Sequence, residues 1–205
     1  DPIEFVFDHD TSLVKQRQVG TDTKSFPNAL RSAMRQDPDV ILVSEMRDLE
    51  TIKTAITAAE TGHLVISTLH TQDAPKTIDR MIDVFPGDQQ AQIVAQLANC
   101  LIGIISQRLI PRCDIDGRVL ATEVLKVNHG MRTCIRERKI EQIAGLIQIG
   151  AGEGMHTIDD SIVHLLTGGY ISYEDAMMNA REQDFVSEQW RLHKEAEARA
   201  EKRSS

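Results

Sequence analysis

Val40-Ile41-Leu42-Val43-Ser44-Glu45, the stretch Leu49 to Thr61, and Gly62-His63-Leu64-Val65-Ile66-Ser67 together decide the fold. Val40 to Val43 is a short apolar run rich in β-branched residues, which predicts a strand buried on both faces, as in parallel sheets. Leu64-Val65-Ile66 is a second run of the same kind. Between them, Leu49, Ile52, Ala55, Ile56 and Ala59 recur at helical spacing, and Gly62 stands where a helix ends by turning left-handed. Strand, helix, strand in this order is a βαβ unit, so the predicted class is α/β with a parallel sheet.

Upstream, Ser25 to Arg35 predicts a helix, with Ser25 as N-cap and Pro27 in the first turn. Asp37-Pro38-Asp39 stops it. Leu13 to Val19 alternates loosely and predicts an edge strand. Downstream, Pro75 to Ile82 and Gln89 to Ile102 predict helices, and Ile104 to Ile110 with Arg118 to Leu125 predict two strands turning at Asp114-Ile115-Asp116-Gly117. The character changes after Val127: His129 to Arg138, Ile140 to Ile149, Ile158 to Leu166 and Tyr173 to Arg181 all show helical spacing. The expected organisation is therefore an α/β part over 1–127, a helical subdomain over 128–182 and a charged tail over 183–205. The tail reads as a solvated helix or a frayed end, with Trp190 as the residue to pin it.

At 205 residues, 41% hydrophobic and 26% charged, the chain is long enough to bury a sizeable core. A net charge of −8 argues against non-specific binding to nucleic acid, and no nucleic-acid partner is expected. Cys100, Cys113 and Cys134 are widely spaced with no CxxC pair, which gives a zinc site little support and fits a reducing, intracellular compartment. No run reaches the length of a membrane span. The chain opens at Asp1 without an initiator methionine, which suggests a processed chain or a fragment.

Three constellations carry chemistry. Glu45 follows the first apolar strand directly in Ser44-Glu45-Met46-Arg47-Asp48, and the carboxyl end of a parallel strand is the ligand-binding edge of an open α/β sheet. An acid there serves magnesium, usually through water, or orients an attacking water. It is equally an N-cap or a first-turn acid favouring the dipole of the next helix. His63 and His70 flank the second strand, and His70 follows Ser67 and Thr68 in a polar cluster suited to sensing a phosphate. They also read as structural histidines. Glu4, beside Pro2, reads as a general base or as a surface acid. GxxxxGK[ST], GxGxxG, GxSxG and HExxH are all absent from these residues, which removes support for a nicotinamide enzyme, a serine hydrolase or a zinc protease.

Taken together and in order, these segments resemble the secretion-ATPase family of type II secretion and type IV pilus motors, and within it the pilus retraction ATPases of the PilT and PilU kind. Asp1-Pro2-Ile3-Glu4 is similar to the end of the family's Asp box. Ser44-Glu45-Met46-Arg47-Asp48 is similar to its Walker B segment, and Ala58-Ala59-Glu60-Thr61-Gly62-His63 through Thr68-Leu69-His70-Thr71 to its His box. Gly130 to Glu137 aligns with the retraction motif AIRNLIRE, matched at Arg132, Ile135, Arg136 and Glu137 and unmatched at Gly130, Met131, Thr133 and Cys134. Ser44 and Ser67 stand where glycine is usual.

The resemblance implies a partial RecA-like core with a helical C-terminal subdomain, and ATP with Mg2+ as cofactors. Glu4 would be the general base and Glu45 the Walker B acid acting on magnesium through water, with Arg47 and Asp48 beside it. His63, Thr68 and His70 would sense nucleotide and the subunit interface. It further implies a homo-hexamer, or a mixed hexamer with a paralogue, peripheral to the cytoplasmic face of the inner membrane and acting on a membrane platform protein to power pilus retraction and twitching motility. The phosphate-binding loop of the family precedes its Asp box, so these residues alone are expected to be inactive. A non-catalytic accessory subunit of the PilU kind, or a related secretion or DNA-uptake motor, are the alternatives.

Overall fold

The computed structural model describes residues 2–204. They gather into two compact units, one formed by residues up to His70 with Arg80–Cys100, the other by Thr71–Asp79 with the chain from Leu101 onward.

In the first unit, α1 (Phe26–Ala33) begins at Ser25, whose hydroxyl accepts the Asn28 N–H at 3.3 Å, as the capping pattern predicts. It tightens into a 3-10 turn, Met34–Gln36, and stops at Asp37, which takes a left-handed φ of 53°. β1 (Val40–Val43) leads to α2 (Leu49–Glu60), which ends before Gly62 at φ +101°, and then to β2 (Leu64–Ser67). β1 and β2 pair in parallel, Val40 opposite Leu64 and Val43 opposite Ser67, so the predicted βαβ unit is present. α3 (Ala74–Asp83) belongs to the second unit up to Asp79 and to the first from Arg80, and α4 (Gly87–Cys100) lies in the first.

The core of this unit joins Leu30 of α1 and Ala55 and Ala58 of α2 to Ile41 and Val43, with Val65 packed against them. Burial of both strand faces was expected and is not found. Val40 and Leu42 are 53% and 67% exposed, and Leu64 and Ile66 are 43% and 48% exposed. α1 and α2 cover the Ile41–Val43–Val65 face, and the side chains of the other face stay exposed to about half or more of their area. The edge strand expected over Leu13 to Val19 is also absent. Only an isolated bridge joins Val19 to Thr23. Side-chain amides take the backbone partners there: Gln16 Nε2 donates to the Phe5 carbonyl at 2.8 Å while its Oε1 accepts the Phe7 N–H at 2.9 Å.

In the second unit, β3 (Gly103–Pro111) and β4 (Arg118–Lys126) form an antiparallel hairpin, Gly103 opposite Lys126 and Pro111 opposite Arg118. α5 (His129–Arg136), α6 (Ile143–Ile149), α7 (Ile158–Thr167), α8 (Tyr173–Asn179) and α9 (Gln183–Ser204) follow. α7 opens with a reciprocal capping box between Thr157 and Asp160. Ile110 and Ala121 of the hairpin pack with Ile158, Ile162, Leu165, Leu166, Ile171, Ala176 and Val186 in one core. That shared core is why the hairpin clusters with the helices, and why the units part near residue 100 although composition changes near 127. The charged tail is not frayed at its start. Val186 is fully buried and Trp190 packs on the same core, while beyond it Arg191 pairs with Glu188 and Glu195 along a solvated helix face.

Candidate functional site

Parallel pairing brings the carboxyl ends of β1 and β2 side by side, and this places the site. Past the paired Val43 and Ser67, the Met46 N–H donates to the Thr68 carbonyl at 3.2 Å, and the Thr68 hydroxyl donates to the Ser44 carbonyl. The two strand exits are thus tied together and their side chains share one edge.

Glu45 is the centre of that edge. Its side chain is only 14% exposed, and it stands between two cationic or protonatable groups. Arg47 reaches Oε2 at 2.5 Å, and His70 Nε2 lies 3.3 Å from Oε1. The hydrogen bond from Arg47 holds the Glu45 carboxyl below the usual carboxylate range against its partial burial, with the charges of Arg47 and His70 helping. The carboxylate is therefore ionised at neutral pH and able to attract a hard cation or orient a water. Arg47 is raised in return by the hydrogen bond to Glu45. Ser67, at the end of β2, has a buried hydroxyl oxygen with no hydrogen-bond partner among the described residues, an uncommon state for a buried polar atom.

Asp48 does something different from its neighbour. It is the N-cap of α2, accepting the Thr51 N–H at 2.9 Å and the Thr51 hydroxyl at 2.8 Å, and the Thr51 N–H bond foremost lowers its pKa. The two histidines separate. His70 joins Glu45, whereas His63 sits at the other end of β2 with Nδ1 2.9 Å from the Ala58 carbonyl and 3.1 Å from the Thr61 hydroxyl. A carbonyl only accepts, which assigns the proton to Nδ1. His63 thus anchors the end of α2. Glu4 is exposed, and among the described residues no hydrogen bond or ion pair joins it to Glu45 or His70. Asp1, named with it in the Asp-box segment, lies outside the described residues.

The segment similar to the retraction motif forms α5. Met131, Cys134 and Ile135 are buried, whereas Arg136 and Glu137 face solvent, and Glu137 meets Lys139 at 2.7 Å. Arg132 is half-buried. Two features escaped the sequence reading. Arg47 is an ion-pair partner of Glu45, which strand-then-acid spacing does not reveal. Glu123 is fully buried beside Arg181 and Asp73, and its signal was an acid in register with Ala121 and Leu125 on the inward face of β4. Among the described residues, no group of His, Cys, Asp and Glu side chains is arranged to hold a metal ion, and no helix is long and apolar enough to cross a membrane.

A family profile described as Type II/IV secretion system protein matches residues 1–177. The type IV pilus retraction ATPase PilT of Pseudomonas aeruginosa is 50% identical over 181 residues, covering 88% of this chain and 52% of that protein. The type IV pilus ATPase PilU of the same organism is 39% identical over 180 residues, covering 88% of this chain and 47% of that protein. A crystal structure of the pilus retraction motor PilT with bound ADP superposes with a TM-score of 0.83 at 49% identity, covering 92% of this chain and 53% of that one. The chain spans about half the length of the curated relatives it matches. It has their α/β fold with a parallel sheet, and with the match running through the Glu45 edge and on into the helices, the chain belongs to the type II/IV secretion system protein family.

Proposed function

We propose that the full-length protein is an ATP-hydrolysing motor subunit that powers type IV pilus retraction. The observation that carries this reading is the Glu45 edge: an ionised, largely buried carboxylate between Arg47 and His70 at the ends of two parallel strands, in a chain half identical to a retraction ATPase. The higher identity to PilT than to PilU favours the principal motor over an accessory paralogue. The match to a motor solved with ADP supports a nucleotide as the ligand.

The residues fit such a ligand, because an ionised carboxylate, an imidazole and a hydroxyl converge where a parallel sheet presents its binding edge. Bound Mg2+ and ATP would supply the charge neutralisation and the phosphoryl group that is transferred to water. Glu45 holds negative charge at a fixed place and would serve the magnesium through water. Arg47 and His70 lower the pKa of that carboxylate and would keep it aimed. Thr68 ties β2 to the exit of β1, so a shift at either strand end moves the other. His70, mostly exposed on the open side of Glu45, is placed to respond to a phosphate. Glu4 would act as general base and His63 would report to the subunit interface. Arg132, Ile135, Arg136 and Glu137 would couple turnover to retraction. The working assembly in this reading is a hexamer at the cytoplasmic face of the inner membrane, acting on a membrane platform protein.

The test is steady-state ATP turnover of the full-length protein with Mg2+. Glu45→Gln and Glu4→Gln should each lower kcat by about 100-fold or more, the range for a general base or a fixed charge at the reacting centre. Wild-type turnover that Glu45→Gln leaves unchanged removes Glu45 from the role given. An inactive wild type that still assembles shifts the reading to a structural partner of a motor.

A further inference from the structure

Ser67 closes β2, and its hydroxyl oxygen is buried with no hydrogen-bond partner among the described residues. A hydroxyl can donate and accept, and burying one unpaired costs free energy that alanine or glycine at the same place would not. Ser67 also stands where the family resemblance expects glycine, so the hydroxyl is a feature of this chain.

Its neighbours all lie in the first unit. Ser67 is the register partner of Val43 in β1. The next residue, Thr68, holds the chain on both sides of Glu45: its hydroxyl donates to the Ser44 carbonyl, and its carbonyl accepts the Met46 N–H at 3.2 Å. The Ser67 and Glu45 side chains thus start from neighbouring positions on two strand exits that are bonded to each other, and both are largely shielded from solvent.

The Glu45 carboxylate can accept several hydrogen bonds at once. Its present partners are Arg47 on Oε2 and His70 beside Oε1, and these are 69% and 77% exposed. Ion pairs between groups so open to water are weak, and a competing cation or phosphate displaces them readily. A buried hydroxyl on the adjacent strand faces no such competition.

We propose that Ser67 is a positioning residue that acts through Glu45: its hydroxyl is a reserve donor, idle while Arg47 holds the carboxylate and engaged when Arg47 lets go, so that Glu45 stays aimed as nucleotide and Mg2+ draw on it. The effect on turnover rests on the ATPase reading above. The exchange of donors does not.

The experiment compares full-length wild type with Ser67→Ala, Arg47→Met and the double variant, by unfolding midpoint without nucleotide and by kcat and KM for ATP with Mg2+. Without nucleotide, Ser67→Ala alone should leave the midpoint unchanged or raise it, because it deletes an unpaired buried hydroxyl. With Arg47→Met in place, the same change should lower the midpoint, because the hydroxyl is then in use. A serine kept only for its size would have one effect in both backgrounds. Equal effects therefore overturn the proposal, whether or not the protein hydrolyses ATP. In turnover, Ser67→Ala should lower kcat about three- to tenfold with KM nearly constant, the worth of one hydrogen bond. Ser67→Thr, which keeps the hydroxyl, should recover most of that loss. Wild-type kcat in Ser67→Ala overturns the proposal and leaves the ATPase reading standing. A wild type that hydrolyses no ATP, with the reversal of sign present, overturns the ATPase reading and leaves the exchange of donors standing.

Discussion

Glu45 owes its lowered pKa to Arg47 first and to the charge of His70 after it, and that dependence has a pH signature. A carboxylate whose folded pKa lies below its unfolded value of 4.5 contributes stability that is fully present above that value. The contribution is lost as pH falls through the folded pKa. Arg47→Met should therefore lower the urea midpoint at neutral pH, and the gap from wild type should close as the pH falls below the carboxylate range. A gap that widens in acid would show that Arg47 acts through something other than Glu45. Asp114 makes the same point in a clearer form. The hydrogen bond from Arg112 is the largest of the interactions that hold its pKa down at about 2, so a carboxyl-carbon NMR titration should find it there and find it raised toward the ordinary value of about 3.9 in Arg112→Met. At this scale the sequence was half legible. Glu45, Thr68 and His70 were readable because each follows a recognisable strand. Asp48 was not separable from Glu45 by spacing, since both acids follow the same strand within three residues, and only the structure shows Asp48 capping α2. His63 and His70 looked equivalent until the structure put one beside Glu45 at the carboxyl ends of the strands and the other against the end of α2.

Elements are where local physics speaks most clearly, because periodicity and capping are local. α2, α7 and the hairpin lie within a residue or two of the ranges their patterns predict. The one missed element has a local cause of its own. Leu13 to Val19 has strand-like alternation, yet Gln16, Gln18 and His9 side chains take up backbone groups that a ladder would have used, and such competition does not show in an alternation count. Two element-level predictions follow from geometry. Thr157 and Asp160 cap each other across the start of α7, so Thr157→Ala should destabilise the fold by about 1 kcal/mol, measured by urea unfolding. Gly103 opens β3 where an added Cβ would lie 2.8 Å from the Leu125 carbonyl oxygen. Neither atom is on a flexible side chain, so Gly103→Ala should cost about 1–3 kcal/mol, the range for overpacking. A neutral Gly103→Ala would mean that the strand start adjusts freely.

For the molecule as a whole, the parallel sheet was legible and its one-sided burial was not. Val40 and Leu42 are as apolar as Ile41 and Val43, so composition alone reads the strand as buried throughout. What decides exposure is which helices cover which face, and among the described residues α1 and α2 pack on Ile41, Val43 and Val65 only. The two faces of β1 should therefore respond oppositely to the same kind of change. Leu42, 67% exposed, should accept lysine with an effect on unfolding free energy within about 0.5 kcal/mol, as should Ile66→Thr on the same face. Both should lower binding of a hydrophobic dye by the chain, because each removes exposed apolar area from the sheet. Ile41, 8% exposed, should not accept threonine so easily: the hydroxyl would enter the core without an assured partner, at a cost of about 1–3 kcal/mol, and dye binding should rise as packing loosens. The measurement is paired, urea unfolding and dye fluorescence on the same preparations of the 205-residue chain. Equal losses from Leu42→Lys and Ile41→Thr would mean that both faces are buried after all, and that the alternation along β1 misstates what surrounds it.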